Sequence, residues 1–120
     1  VTALEQRVVV MSMSASVPIM RGQNAVITSD ALLHAWIAER LYISSGTAKG
    51  AGDWQLSSIR VDGREKLKKP ISGAYFAVGE VWSDVRWKVP AKRRVVMIVT
   101  YVGKRRRGCP FFAAFTGSFA

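Results

Sequence analysis

Between Ser29 and Ile43 the residues Leu33, Trp36, Ile37, Arg40 and Leu41 recur at spacings of three and four, the signature of one helical face. Thr28, Ser29 and Asp30 offer side-chain oxygens for an N-cap, and Ala31, Ala35 and Ala38 favour helix in the turns that follow. The spacing predicts a helix over 29–43, ended by Ser44-Ser45-Gly46 and followed by a loop to Gly52. The rest of the chain reads as strands. Arg7 to Met20 mixes β-branched and small residues until Pro18 breaks the ladder, and Arg21-Gly22-Gln23-Asn24 has the chemistry of a turn. Gln55 to Val61 is a short strand ended by an Asp62-Gly63 turn. Tyr75 to Val89 alternates as one or two strands, bulged near Gly79. Val95 to Val102 has the apolar density of a buried strand, and Phe111 to Phe115 begins a last one. A strand, one helix and then several strands predict an α+β fold with an antiparallel sheet.

Composition places this pattern in a single domain, residues 1–120, with a real core: 49% of the chain is hydrophobic, including four Trp, five Phe and three Tyr. The apolar stretch from Phe111 to Ala120 raises the expectation of a further strand or hairpin beyond Ala120. Charge changes the picture more. Eighteen Lys and Arg face eight Asp and Glu, a formal net charge of +10. Residues 1–60 carry five basic and four acidic side chains, whereas residues 61–120 carry thirteen and four. A body this basic repels itself, and a polyanionic partner is the simplest way to relieve that repulsion.

The basic residues fall in three runs: Arg64, Lys66, Lys68 and Lys69; then Lys92, Arg93 and Arg94; then Lys104, Arg105, Arg106 and Arg107, bracketed by Gly103 and Gly108. The last two flank the strand Val95–Val102, so they are expected at its opposite ends, about 26 Å apart for eight residues. Arg dominates both, and its planar fork suits phosphate. Gly103 and Gly108 would let the backbone approach a phosphate closely, as they would serve any hairpin loop. Trp54, Trp82 and Trp87 are candidate base-stacking platforms beside cations such as Arg86 and Lys88, with ordinary sheet packing as the alternative.

Enzymatic chemistry finds little support. Asp30, Glu39, Asp53, Asp62, Glu65, Glu80 and Asp84 are scattered, and for Asp62 and Glu65 ion pairing with basic neighbours is the simpler account. His34 is the one histidine and the one candidate general base, for a metal-independent ribonuclease. Cys109 is the one cysteine, which rules out an internal disulfide or a Cys-based zinc site and suits a reducing compartment. No Walker pattern or GxGxxG unit is present. The stretch Val8–Met13 is too short for a signal peptide, and no apolar run approaches the roughly 20 residues of a membrane helix. A cytoplasmic protein without metal, cofactor or small-molecule substrate is expected.

The segment Val8–Pro18 followed by Ser29-Asp30-Ala31-Leu32-Leu33-His34-Ala35-Trp36 resembles the first strand and first helix of the RAMP-fold proteins of class 1 CRISPR–Cas systems. It is most similar to the backbone-capping subunit of type IV complexes. Ile71–Ala77 and Gly108–Ala120 are faintly similar to later stretches of that group. The resemblance implies a ferredoxin-like (RNA-recognition-motif-like) core with one main helix. It also implies a non-catalytic subunit that grips the 5′ handle of a guide RNA and docks on neighbouring protein subunits of a ribonucleoprotein complex. Two rivals stand beside it: an endoribonuclease using His34, and a structural nucleic-acid-binding assembly protein of ribosomal or capsid-like kind.

Overall fold

The computed structural model describes residues 8–44, 50–77 and 84–120, and among them the chain forms strands and two short 3₁₀ turns, with no α-helix. The strands are β1 (Val8–Ser12), β2 (Ala15–Ile19), β3 (Asn24–Thr28), β4 (Trp36–Ser44), β5 (Trp54–Val61), β6 (Arg64–Glu65), β7 (Ile71–Ser72), β8 (Asp84–Val89), β9 (Val95–Tyr101) and β10 (Cys109–Phe119). The 3₁₀ turns are Gly50–Asp53 and Gly73–Phe76. The α+β, ferredoxin-like expectation is therefore wrong: this is a mostly-β chain folded into two antiparallel sheets.

The pairing follows one rule. The N-terminal half meets the C-terminal half as the two arms of a long hairpin: β1 and β2 lie along β10, β3 along β9, β4 along β8, and β5 along β6 and β7. That hairpin is then rolled up, so that β10 also pairs β4 and β9 also pairs β5. The result is one sheet ordered β1/β2-β10-β4-β8 and a second ordered β3-β9-β5-β6/β7. This is the nesting of an eight-stranded jelly roll, with β1 and β2 serving as one interrupted strand and β6 and β7 as another.

The predicted helix fails for an identifiable reason. In β4 the buried positions are Trp36, Ala38, Leu41 and Ile43, and the ladder to β8 shifts register between Ala38 and Arg40. This bulge inserts one residue into the two-residue alternation, so the inward positions step by two, three and two. A step of three among apolar residues imitates a helical face. The alanines favour helix locally, but pairing with β10 on one side and β8 on the other satisfies the backbone and overrides propensity. Ser29, read as a helix cap, instead ties two strands together, as described below.

The other expectations fare better. Val95–Tyr101 is a strand with strict alternation of buried and half-buried residues, and Trp54–Val61 and Cys109–Phe119 are strands as well. The long first strand is split at Met13 and Ser14. Tyr75 belongs to a 3₁₀ turn, not a strand. Gly79 and Trp82, with most of the predicted 44–52 loop, lie outside the described residues.

The core lies between the sheets. Trp54 packs against Tyr101 and Phe111 with ring centroids 5.0 and 4.9 Å apart, while Phe115 meets Trp36 and Trp87 edge-on at 6.3 and 6.0 Å. Trp36, Trp54, Tyr101, Phe111 and Phe115 are fully buried, each contributing on the order of 2–3 kcal/mol through burial. The apolar C-terminal stretch is thus the central strand of a sheet. Its outer face still exposes Phe112, and β1 exposes Val8 and Val10 further along, opposite Ser118 and Thr116.

Candidate nucleic-acid interface

Strand β9 decides where the basic runs go. Its first residue, Val95, pairs with Val61 at the end of β5, so the β8–β9 turn lies beside the β5–β6 turn. Lys92, Arg93 and Arg94 therefore share a cleft of about 370 Å³ with Asp62 and Gly63. Asp62 and Gly63 both adopt positive φ, 53° and 77°, the geometry of a tight two-residue hairpin. Arg93 Nε pairs with Asp62 Oδ1 at 3.2 Å. Arg94 Nη1 donates to the Ser29 carbonyl at 2.9 Å.

Ser29 organises this end of the sandwich. Its amide donates to the Val95 carbonyl at 2.9 Å, and its hydroxyl accepts from the Val95 amide at 2.8 Å. The same hydroxyl donates to the Asp30 carbonyl at 2.9 Å. The Lys92 amide donates to the Leu32 carbonyl at 2.7 Å. The β8–β9 turn is thus fastened to the 29–35 link, and its cations sit on a fixed backbone.

The run after β5 follows the outer edge of the same sheet. Arg64 is exposed next to the hairpin, Lys66 is half-buried, and Lys68 and Lys69 are exposed on the stretch between β6 and β7. Glu65 anchors it, accepting from the Ser58 hydroxyl, from the Ile59 amide at 2.9 Å and from the Leu67 amide at 3.3 Å. Arg60 stands 3.8 Å away. Burial pushes the Glu65 carboxyl up, but the hydrogen bonds from Ser58, Ile59 and Leu67 and the Arg60 charge together outweigh it and hold its pKa below the ordinary 4.5. The ion pairs expected of Asp62 and Glu65 are both present.

Lys104, Arg105, Arg106 and Arg107 lie at the other end of β9, all exposed, and no carboxylate pairs with them among the described residues. Their loop is wrapped on a buried phenol: the Arg105 amide donates to Tyr101 Oη at 3.1 Å, and the Gly108 amide to the Arg105 carbonyl at 3.2 Å. Gly103 is buried against the Tyr101 ring, where a Cβ would lie 2.5 Å from Oη; Gly108 has φ of 75° and faces the Ile19 carbonyl. The structure gives both glycines a packing role and leaves the loop's four cations pointing outward. The β2–β3 turn reaches the same end, because the Gly22 amide donates to the Tyr101 carbonyl at 2.8 Å. Exposed Arg21 thereby joins this group. Nothing in the sequence marks it, since it stands alone and more than eighty residues from the loop.

The structure thus gathers Arg64 and Lys92–Arg94 at one end, gathers Arg21 and Lys104–Arg107 at the other, and keeps the two apart. Seven residues of β9 separate them by about 23 Å. The outer face between carries Val96, Ile98 and Thr100 on β9 and Gln55 and Ser57 on β5, with Arg60 near the first end. Arg86 and Lys88 are exposed on β8 and extend the cationic surface toward Lys92.

The remaining candidates sit elsewhere. Trp54 is a core residue and not a base platform; Trp87 is half-buried against Phe115. His34 lies in the 29–35 link and not on a helix, exposed, its ring edge-on to Phe119 at 6.3 Å. Cys109 is buried. Among the described residues no group of three or more His, Cys, Asp or Glu side chains is placed to hold a metal ion, and no helix is long and apolar enough to cross a membrane. Comparison with family models, with curated proteins and with solved structures found no match to the chain.

Proposed function

We propose that the chain is a non-catalytic structural protein that holds nucleic acid, RNA foremost, by its phosphates and assembles with other protein subunits around it. One observation carries this: many of the cations of a +10 chain lie on hydrogen-bonded turns at the two ends of a double sheet. Fixed cations lose little freedom on binding, and the counterions that phosphates release supply the driving force. The described residues form two antiparallel sheets and no ferredoxin-like core, which leaves a guide-RNA grip of that kind without support. Of the roles the sequence raises, a capsid-like assembly protein fits a jelly roll best. Such folds recur in viral capsids, though also in lectins and cupins, so the analogy is one of fold alone.

The assembly part draws on exposed apolar surface. Val8, Val10 and Val17 are 65, 69 and 73% exposed along β1 and β2, and Phe112 is 45% exposed on neighbouring β10. Strand β1 is an edge of its sheet, and an edge strand with exposed apolar side chains offers a surface on which another chain can pair. The lone thiol suits a reducing compartment, and the cytoplasm is the proposed location.

The test is fluorescence anisotropy of the whole chain with single-stranded RNA, single-stranded DNA and duplex, alongside light scattering. If six phosphates are neutralised on a single strand, log affinity against log salt has a slope of about −4. Scattering is expected to rise as RNA is added. Absence of binding at low salt, or binding indifferent to salt, overturns the nucleic-acid role; binding without any growth in particle size overturns the assembly role.

A further inference from the structure

Basic clusters on a surface bind polyanions loosely unless some feature fixes where a phosphate goes. The cleft between the β5–β6 and β8–β9 turns has such a feature. It brings together three cations, Lys92, Arg93 and Arg94, and one carboxylate, Asp62, in about 370 Å³. The two arginines are already oriented. Arg94 spends one donor on the Ser29 carbonyl at 2.9 Å, and a guanidinium has five. Arg93 is held by Asp62 at 3.2 Å. Lys92, at φ of 63°, has no carboxylate partner among the described residues. The cleft therefore carries an excess of two positive charges, and Asp62 already sits where an anion is welcome.

We infer that this cleft takes one phosphodiester group of a bound nucleic-acid strand, and that Asp62 competes with that phosphate for Arg93 and so sets the affinity of the site. This rests on the nucleic-acid role proposed above and adds to it a position and a regulating residue. The Asp62 carboxylate is the internal counterion: the phosphate must displace it or bind beside a like charge. An exposed ion pair of this kind contributes at most about 1 kcal/mol, so its removal is expected to change affinity about two- to fivefold.

The test uses anisotropy with a single-stranded RNA at fixed low salt and two variants that suit their backbone. Asn tolerates positive φ better than most residues, so Asp62→Asn and Lys92→Asn both remove a charge without straining a turn. Asp62→Asn is expected to tighten binding about two- to fivefold, Lys92→Asn to weaken it similarly, and the double variant to fall near the wild type. Glu39→Gln makes the same change in net charge on the outer face of β4 and is expected to leave affinity within error. Equal tightening by Glu39→Gln and Asp62→Asn would overturn the site in favour of net charge alone. Salt-dependent binding that responds to neutralising Arg105, Arg106 and Arg107 but not to residues 62 and 92 would overturn the cleft and leave the nucleic-acid role standing. A wild-type chain that binds no RNA would overturn both.

Discussion

Replacing Ser29 by alanine tests the fold and the anchoring of the β8–β9 end together. The hydroxyl is 1% exposed with its residue, accepts from the Val95 amide at 2.8 Å and donates to the Asp30 carbonyl at 2.9 Å. In Ser29→Ala the Val95 amide loses its acceptor inside the protein, at a cost of about 1–3 kcal/mol. The Asp30 carbonyl lies on an exposed residue and recovers water, adding little. A destabilisation near 2 kcal/mol is expected, which for a chain of this size lowers Tm by roughly 6–10 °C. Urea and thermal unfolding followed by circular dichroism and fluorescence measure it. Ser29→Asp sharpens the test. At the N-cap of a helix Asp serves as well as Ser, whereas here the carboxylate would be buried against the Asp30 carbonyl to which it cannot donate, with the Arg94 guanidinium already engaged by the Ser29 carbonyl, so Ser29→Asp is expected to destabilise. A Ser29→Asp protein as stable as the wild type, or a wild-type spectrum with strong helical minima, would refute the strand-tying role and with it this fold.

Three further outcomes follow from single contacts. Tyr101→Phe removes the oxygen that accepts the Arg105 amide; a loss of about 1 kcal/mol in stability is expected, with faster amide exchange confined to residues 103–108. In Gly117→Ala the new Cβ would collide with the Ile37 carbonyl across the β10–β4 ladder, so the strands must separate, and a loss of at least about 2 kcal/mol is expected in urea unfolding. Glu65 has its folded pKa held below the ordinary 4.5, so the stability it contributes is fully present above that value and is lost as pH falls through the lowered pKa. The gap in stability between wild type and Glu65→Gln should therefore be constant near neutrality and close below pH 4.5; a gap that widened on acidification would contradict the hydrogen-bond network around the carboxylate.

By itself the sequence determined the strongly basic charge, its concentration after residue 60, and those strands whose burial alternates without interruption. Val95–Tyr101 is legible because its neighbours β3 and β5 cover both edges and every second side chain enters the core. The Asp62-Gly63 turn is legible because so few residue pairs accept positive φ at both positions. Trp36 through Ser44 was not legible: one bulge shifts the inward set, and local propensity for helix is outweighed by two ladders whose partners lie about fifty and seventy-five residues away. The same long-range pairing decided the candidate site. Only the rolled hairpin sets Asp62 against Arg93 and Arg21 near Lys104–Arg107, and only the straight run of β9 holds the two groups apart. Charge is a property of residues one at a time and can be read along a line. Which charges become neighbours is set by strand register, which is fixed when side chains distant in sequence close a common core.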